Sequence, residues 1–231
     1  MFRYETHLHT FPVSRCGKAT VQQVLDYYKS LNYDGIFITN HFINSNINFP
    51  HDRPYRDRIE FFYSDYEEAC RLGADMGIKV FSGVEMAYDG TDFLVYGLEK
   101  EWYLAHPEIM EMKMTTLLPM LMEEGALVVQ AHPFREASYI DHIRLFPRSV
   151  QGVEIINACR TEEENAIARY YADHYGLLHF AGSDNHHGEQ KKDLAGMESE
   201  TPVTDAQDFV KKVLSGQMRI FKLNTGERNP D

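Results

Sequence analysis

Cysteine is scarce in this sequence: Cys16, Cys70 and Cys159 are odd in number and far apart. Such a set makes no disulfide framework and fits a reducing compartment. Long apolar runs are missing too; none approaches the ~18–20 residues that span a bilayer. Residues 1–5 run into a histidine-containing segment with no apolar signal region, so a cytoplasmic protein with no membrane partner is expected. Positive charge is also short. Against 35 Asp and Glu stand 23 Lys and Arg, a formal net charge of -12, which argues against a protein that grips long nucleic acid by its phosphates. Bound divalent cations would offset that charge locally and still admit one anionic group. Repeats, low-complexity stretches and Pro/Gly/Ser linkers are absent, and 231 residues suit one domain over 1–231.

What is present is an alternation of short apolar runs with longer amphipathic ones. Strands are expected at 2–4, 35–39, 79–83, 92–98, 126–130, 152–156, 177–181 and 218–223. Helices are expected at 20–31, 59–76, 110–124, 162–175 and 205–214, with Thr204 capping the last and Pro119 kinking the third. This order predicts an α/β fold with a largely parallel sheet, and seven or so strands favour a barrel over an open sheet. The stretch 42–58, rich in Asn, Pro and charge, reads as a long loop of the kind that lids a site.

Eleven histidines are the unusual feature, and their placement carries the argument. His7 and His9 follow the first strand, His41 follows GIFIT, Glu85 follows KVFSG, His132 follows ALVVQ, and Asp184 and His186 follow LLHFAG. Five strands thus end in His, Glu or Asp. In a parallel barrel those C-terminal ends converge on one face, where barrel active sites sit. Alternate residues of a strand point the same way, so His7 and His9 can chelate one ion, and Asp184 and His186 repeat that spacing. Taken singly each group has a bland reading as an accidental or capping residue; the combination points to a metal centre. Imidazole and carboxylate without a cysteine pair suit Zn, Mn or Fe(II). The donors exceed what one ion uses, so two or three divalent ions are expected, bridged by Glu85. His51, His106, His142, His174 and His179 fall in loops, helices or inside a strand and read as structural or solvated.

The set HLHT, TNH, GVE, AHP and GSDNH, in that order along most of the chain, resembles the polymerase and histidinol phosphatase (PHP) family of phosphoesterases. The resemblance implies a distorted (βα)7 TIM-like barrel with a two- or three-metal site at the C-terminal ends of the strands. It implies His7, His9, Glu85 and Asp184 around one ion, Glu85, His132 and Asp92 around a second, and His41 and His186 at a third. Three positions depart from the family. Asn40 stands where Asp is common, Asp92 where His is common, and Cys16 where an Asp or His would serve the third ion. Either the Cys16 thiolate takes that place or the third ion is weak or absent, and the second reading is preferred.

The expected activity is hydrolysis of a small phosphate ester (a phosphomonoester, nucleotide or cyclic phosphodiester) by metal-activated water. His186 or His187 would carry a proton to the leaving group. Guanidinium forks match phosphate oxygens, which makes Arg135, Arg15, Lys18 and Arg160 the candidates for substrate binding. Histidinol-phosphate phosphatase, a nuclease-like activity and a non-catalytic metal-binding protein stand as alternatives.

Overall fold

The computed structural model describes residues 1–226. Nine strands form one mixed sheet in the order β7-β6-β5-β4-β3-β2-β1-β8-β9. They are β1 (Phe2–Glu5), β2 (Gly35–Ile38), β3 (Lys79–Tyr88), β4 (Thr91–Tyr96), β5 (Leu127–Ala131), β6 (Gly152–Asn157), β7 (Leu178–Gly182), β8 (Asp193–Ser199) and β9 (Met218–Asn224). The pairs β1–β2, β2–β3, β5–β6 and β6–β7 are parallel, while β4, β8 and β9 pair antiparallel to their neighbours. Beyond β1 the chain runs on beside the residues after β7. Leu8 and Asn185 form a parallel bridge, His9 N–H donates to Asn185 O at 3.0 Å and Asn185 N–H to His7 O at 3.2 Å. These bonds bring β1 and β7 together and nearly close a barrel.

The largely parallel βα order expected from the sequence gives way at two places. Asp89 and Gly90, both at positive φ (45° and 83°), make a two-residue hairpin turn of the Asp-Gly kind, so β3 runs on past Gly83 and β4 folds straight back on it. At the other end β8, not anticipated from its mixed composition, lies antiparallel along β1 and carries β9 with it.

The helices are α1 (Val21–Ser30), α2 (Tyr55–Met76), α3 (Lys100–Ala105), α4 (Met114–Glu123), α5 (Glu162–Tyr175) and α6 (Ala206–Leu214). Thr20 and Gln23 form a capping box on α1, and Thr161 and Glu164 another on α5. The cap of α6 is Asp205, whose carboxylate accepts from Asp208 N–H at 2.8 Å, and not Thr204. Helix α2 starts four residues before the expected Ile59 because its first turn is polar and exposed. The expected helix over 110–124 is instead a 3-10 turn, Pro107–Glu111, followed by α4, with Pro119 inside it. Phe209 of α6 is buried against Phe37 (ring centroids 4.4 Å), Tyr96 and Phe180, filling the barrel with side chains as small barrels require. Among the described residues no helix is long and apolar enough to cross a membrane.

Candidate metal centre

Strand direction decides which side chains meet. His7 and His9 lie just past β1, His41 past β2, His132 past β5, and Asp184 and His186 past β7, while Glu85 lies within β3, bridged to His41. Asp92 belongs to the same end for a different reason from the one expected. It is the second residue of β4, and because β4 is antiparallel Asp92 lies level with Ala87 of β3 and Ala131 of β5.

The groups converge closely. His7 and His9 Nε2 are 3.3 Å apart; His7 Nε2 is 3.2 Å from Glu85 Oε1 and 3.6 Å from Asp184 Oδ1. His9 Nε2 is 3.3 Å from Glu85 Oε2 and 3.4 Å from Asp184 Oδ1, and His132 Nε2 is 3.3 Å from Glu85 Oε1. Three donor groups emerge: His7, His9 and Asp184; His7, Glu85 and His132; and His9, Cys16, His41 and His186, with the donor atoms of each group within 4.8 Å of one another. The backbone bends to achieve this. His132 (φ 25°) and Asp184 (φ 52°) sit in the left-handed region, which costs non-glycine residues on the order of 1–3 kcal/mol each. Hydrogen bonds hold them there: His132 N–H donates to Glu154 Oε2 at 3.1 Å, and Asn157 Nδ2 to Asp184 Oδ2 at 3.3 Å.

Hydrogen bonds also fix the rings. His7 Nδ1 lies 2.9 Å from Glu154 Oε1, so this nitrogen carries the proton and Nε2 faces the centre. Ser14 Oγ donates to Asn40 Oδ1 at 2.8 Å, so it must accept from His9 Nδ1 at 3.3 Å. His186 Nδ1 donates to Asp184 O at 2.9 Å. In all three rings Nε2 is left as the donor atom for a cation, the outer-shell arrangement usual for metal-binding histidines. Glu154 was not anticipated as a site residue, yet it is fully buried and serves His7, His132 and Asn157 together. Its signal was a carboxylate inside the apolar run GVEIIN, since a buried charge needs partners. Glu5 does similar work, accepting from the backbone N–H groups of Thr6, His7 and Ser183 and from Tyr28 Oη.

Divalent cations fit these residues. His41 Nδ1 and Glu85 Oε2 are buried and 2.7 Å apart, yet neither makes a hydrogen bond; both are aimed at a shared point without the alignment of a donor and an acceptor. Protons do a cation's work in the chain alone. Burial opposes charge on His7, but Glu154, Asp184 and Glu85 outweigh it and hold the imidazole protonated well above its usual range. His41 behaves likewise through Glu85. Burial together with the neighbouring charges of His186 and His41 drives His9 down to about 3. Burial would raise Glu85 and Asp184, yet the surrounding imidazoles pull both well below the carboxylate range.

No family model and no curated protein matches the sequence, but solved structures do. A two-domain protein from Bacteroides vulgatus, described as containing a predicted PHP-like metal-dependent phosphoesterase, superposes over 95% of this chain with a TM-score of 0.67 at 13% identity. The chain spans 64% of that protein's length. The fold is that of the PHP-like phosphoesterases. PsfC from Pseudomonas syringae shares it over 98% of this chain and 93% of its own (TM-score 0.62, 18% identity). So does an amidohydrolase from Chromobacterium violaceum with bound sulfate and no metal, over 94% and 97% (TM-score 0.57, 13% identity).

Within this PHP-like fold the centre forms one wall of a cavity of about 440 Å³, lined also by Cys16, Arg135, Tyr139, Cys159 and Arg160. That volume suits a small molecule. Arg135 Nη1 lies 3.6 Å from Asp92 Oδ2, its guanidinium over the Tyr139 ring. Asp92 is 3.9 Å from His132 Nε2 and joins none of the three close donor groups, so it links His132 to Arg135. Arg15 and Lys18 depart from expectation. Arg15 donates to Ile47 O at 3.3 Å, tying its loop to the 42–58 segment, and Lys18 lines a separate cavity together with His187. Neither lines the site, which also separates His186, at the centre, from His187. Asn40 is no ligand: it accepts from Thr10 N–H and Ser14 Oγ and donates to Thr10 Oγ1. His106 binds Trp102 O at 2.7 Å and His179 pairs with Asp173 at 2.6 Å, structural roles as expected.

Proposed function

We propose that the chain is a metal-dependent phosphoesterase of the PHP family, acting on a small phosphate ester. The observation that carries this reading is the convergence of His7, His9, His41, Glu85, His132, Asp184 and His186 beside a cavity that holds Arg135 and Arg160. When bound, divalent cations at such a centre supply Lewis acidity, acidifying water and drawing charge from a phosphoryl group. The chain's own residues do the rest. Glu154 and Ser14 set the His7 and His9 rings so that their Nε2 atoms face inward. Glu85 lies between the donor groups, one oxygen toward His7 and His132 and the other toward His9 and His41, and would help to hold more than one cation.

Arg135 brings two donors to the mouth, and the neighbouring Asp92 orients its guanidinium for a phosphate's oxygens. Where no cation takes its Nε2, His186 offers a proton at the leaving oxygen. Burial alone would strip that proton, but the Cys159 and Cys16 thiols and Asp184 hold its pKa up to about 10. A phosphomonoester, nucleotide or cyclic phosphodiester of modest size fits the cavity, histidinol phosphate among them.

The test is a panel of phosphate monoesters, diesters, single-stranded DNA and simple amides, offered to protein loaded with Zn(II), Mn(II) or Fe(II) and to protein kept in chelator. Metal-dependent phosphate release supports the proposal. Amide hydrolysis alone would move the chain to the chemistry named for its Chromobacterium neighbour. Fully metallated protein that turns over nothing is a binding protein, and the proposal fails.

A further inference from the structure

We propose that Cys16 is a thiolate ligand which, with His41, His186 and His9, completes a third cation position and makes it select a thiophilic ion, Zn(II) or Fe(II), over Mn(II). This rests on the metal-centre reading above but is tested apart from it. It also reverses the expectation of a weak or absent third ion.

The first observation is the donor set. Cys16 Sγ and one nitrogen from each of His9, His41 and His186 lie within 4.8 Å of one another. Ring centroids separate His9 from His41 by 4.5 Å and from His186 by 4.2 Å.

The second observation is how firmly the backbone places Cys16. Its neighbours on both sides are tied: Arg15 N–H donates to Asn46 O (3.0 Å), Gly17 N–H to Ser14 O (3.1 Å) and Lys18 N–H to His186 O (2.7 Å). The last bond fixes the Cys16 loop to one of the partner ligands. Gly17 lets the loop lie this low, since a Cβ there would meet Thr10 C at 2.7 Å and Thr10 O at 2.8 Å. Cys159 is the internal contrast. It also faces the cavity, but its Sγ donates to Asp184 O at 3.2 Å and it belongs to no donor group.

Zn(II) takes thiolate and imidazole together in tetrahedral sites, and one sulfur with up to three nitrogens can fill four positions. Soft thiolate favours Zn(II) and Fe(II), whereas Mn(II) prefers oxygen. The third position therefore differs from the other two in offering a sulfur, while Glu85 Oε2 also faces its His9 and His41.

Cobalt(II) reports thiolate ligation directly. The full chain, reduced and loaded stepwise with Co(II), should develop a near-ultraviolet thiolate-to-cobalt charge-transfer band with the equivalent that fills this position. Cys16→Ser should lose the band and weaken that one equivalent beyond the 10–100-fold that an outer-shell change causes. Cys16→Asp should keep the equivalent without the band and shift its preference toward Mn(II), and Cys159→Ser should keep both. Circular dichroism of each variant checks the fold. In parallel, bound Zn(II) should shield Cys16 but not Cys159 from alkylation, read by peptide mass. Cobalt bound through imidazole with no thiolate band, or a band that survives Cys16→Ser, overturns this inference alone. No cobalt binding at all overturns the metal centre itself.

Discussion

Glu154→Gln changes one oxygen to an NH₂ group, and the hydrogen bonds around that carboxylate dictate the consequence. Glu154 Oε2 accepts two N–H donors, from His132 N at 3.1 Å and Asn157 Nδ2 at 2.9 Å, so the glutamine carbonyl must take that position. Its amide nitrogen then faces His7 Nδ1, 2.9 Å from the atom it replaces. Two donors cannot face each other, and His7 must move its proton to Nε2, the nitrogen that points at Glu85 and Asp184. The ring keeps its place and loses its lone pair. Outer-shell changes of this kind cost about 10–100-fold in metal affinity, or roughly 1.4–2.7 kcal/mol. Competition for Zn(II) against a chromophoric chelator at fixed pH measures the effect, with thermal unfolding in chelator as the check on folding. Affinity within about threefold of the parent, where outer-shell losses run to 10-fold or more, would refute the role of Glu154 as the orienter of His7.

Gly182→Ala places a methyl 2.5 Å from His7 Cβ and 2.7 Å from Glu154 Oε1. Overpacking of that kind costs about 1–3 kcal/mol, read as a lower urea midpoint in chelator, and an unchanged midpoint would show that this floor gives way easily. Metal binding should release protons near neutral pH, because His7, His41 and His132 hold theirs above the usual histidine range and a cation must displace them. Apparent affinity therefore falls as pH drops; titration calorimetry in two buffers of different ionisation enthalpy counts the protons, and a count of zero contradicts the sign. Arg135→Met should raise KM for a phosphate ester by about 10–100-fold, the equivalent of one charged hydrogen bond worth 1.5–3 kcal/mol, with a smaller change in kcat. A fall confined to kcat would move Arg135 into the chemical step.

The centre was legible in the sequence because a His or Asp follows each of four strands, a recurrence that stands out even though strand ends are hard to place. His7, His9, His41, His132, Asp184 and His186 all fall past the strand ends, while Glu85 lies within β3, which runs on beyond its expected end at Gly83. What was hidden depends on pairing between distant segments. The Asp89-Gly90 pair is a local hairpin signal that the βα alternation overshadowed, so Asp92 reached the site by an unexpected route. Arg15 and Lys18 follow HLHT as closely as Cys16 does, but backbone bonds to Asn46 and His186 direct Cys16 inward and leave the two cations outside. Glu154 was hidden for another reason. Its charge is satisfied by Asn157 of its own strand and by His7 and His132 from beyond β1 and β5, and no spacing rule encodes the last two.

The three departures from the PHP pattern bear on whether the centre is intact, and Asn40 is the most informative. An amide replaces a carboxylate there, which taken alone would subtract negative charge beneath His41. Asp65 of α2 restores it: buried, it accepts from Thr10 Oγ1 at 2.7 Å, Val13 N–H at 3.2 Å and Asn40 Nδ2 at 3.3 Å. The charge has moved from the end of a strand to a helix behind it, with Asn40 as the link to the 10–14 loop. Ser14 receives that link and passes it on, donating to Asn40 while accepting from His9 and from His41 N–H. Each buried polar group left unpaired would cost about 1–3 kcal/mol, so the chain serves stability whatever the centre holds, and only a metal readout separates the two roles. Asp65→Asn tests the argument, because it leaves every ligand in place. If the carboxylate sustains the chain, metal affinity should fall while the ligand residues are untouched; if affinity holds and only stability changes, Asp65 is a structural anchor and the compensation is illusory.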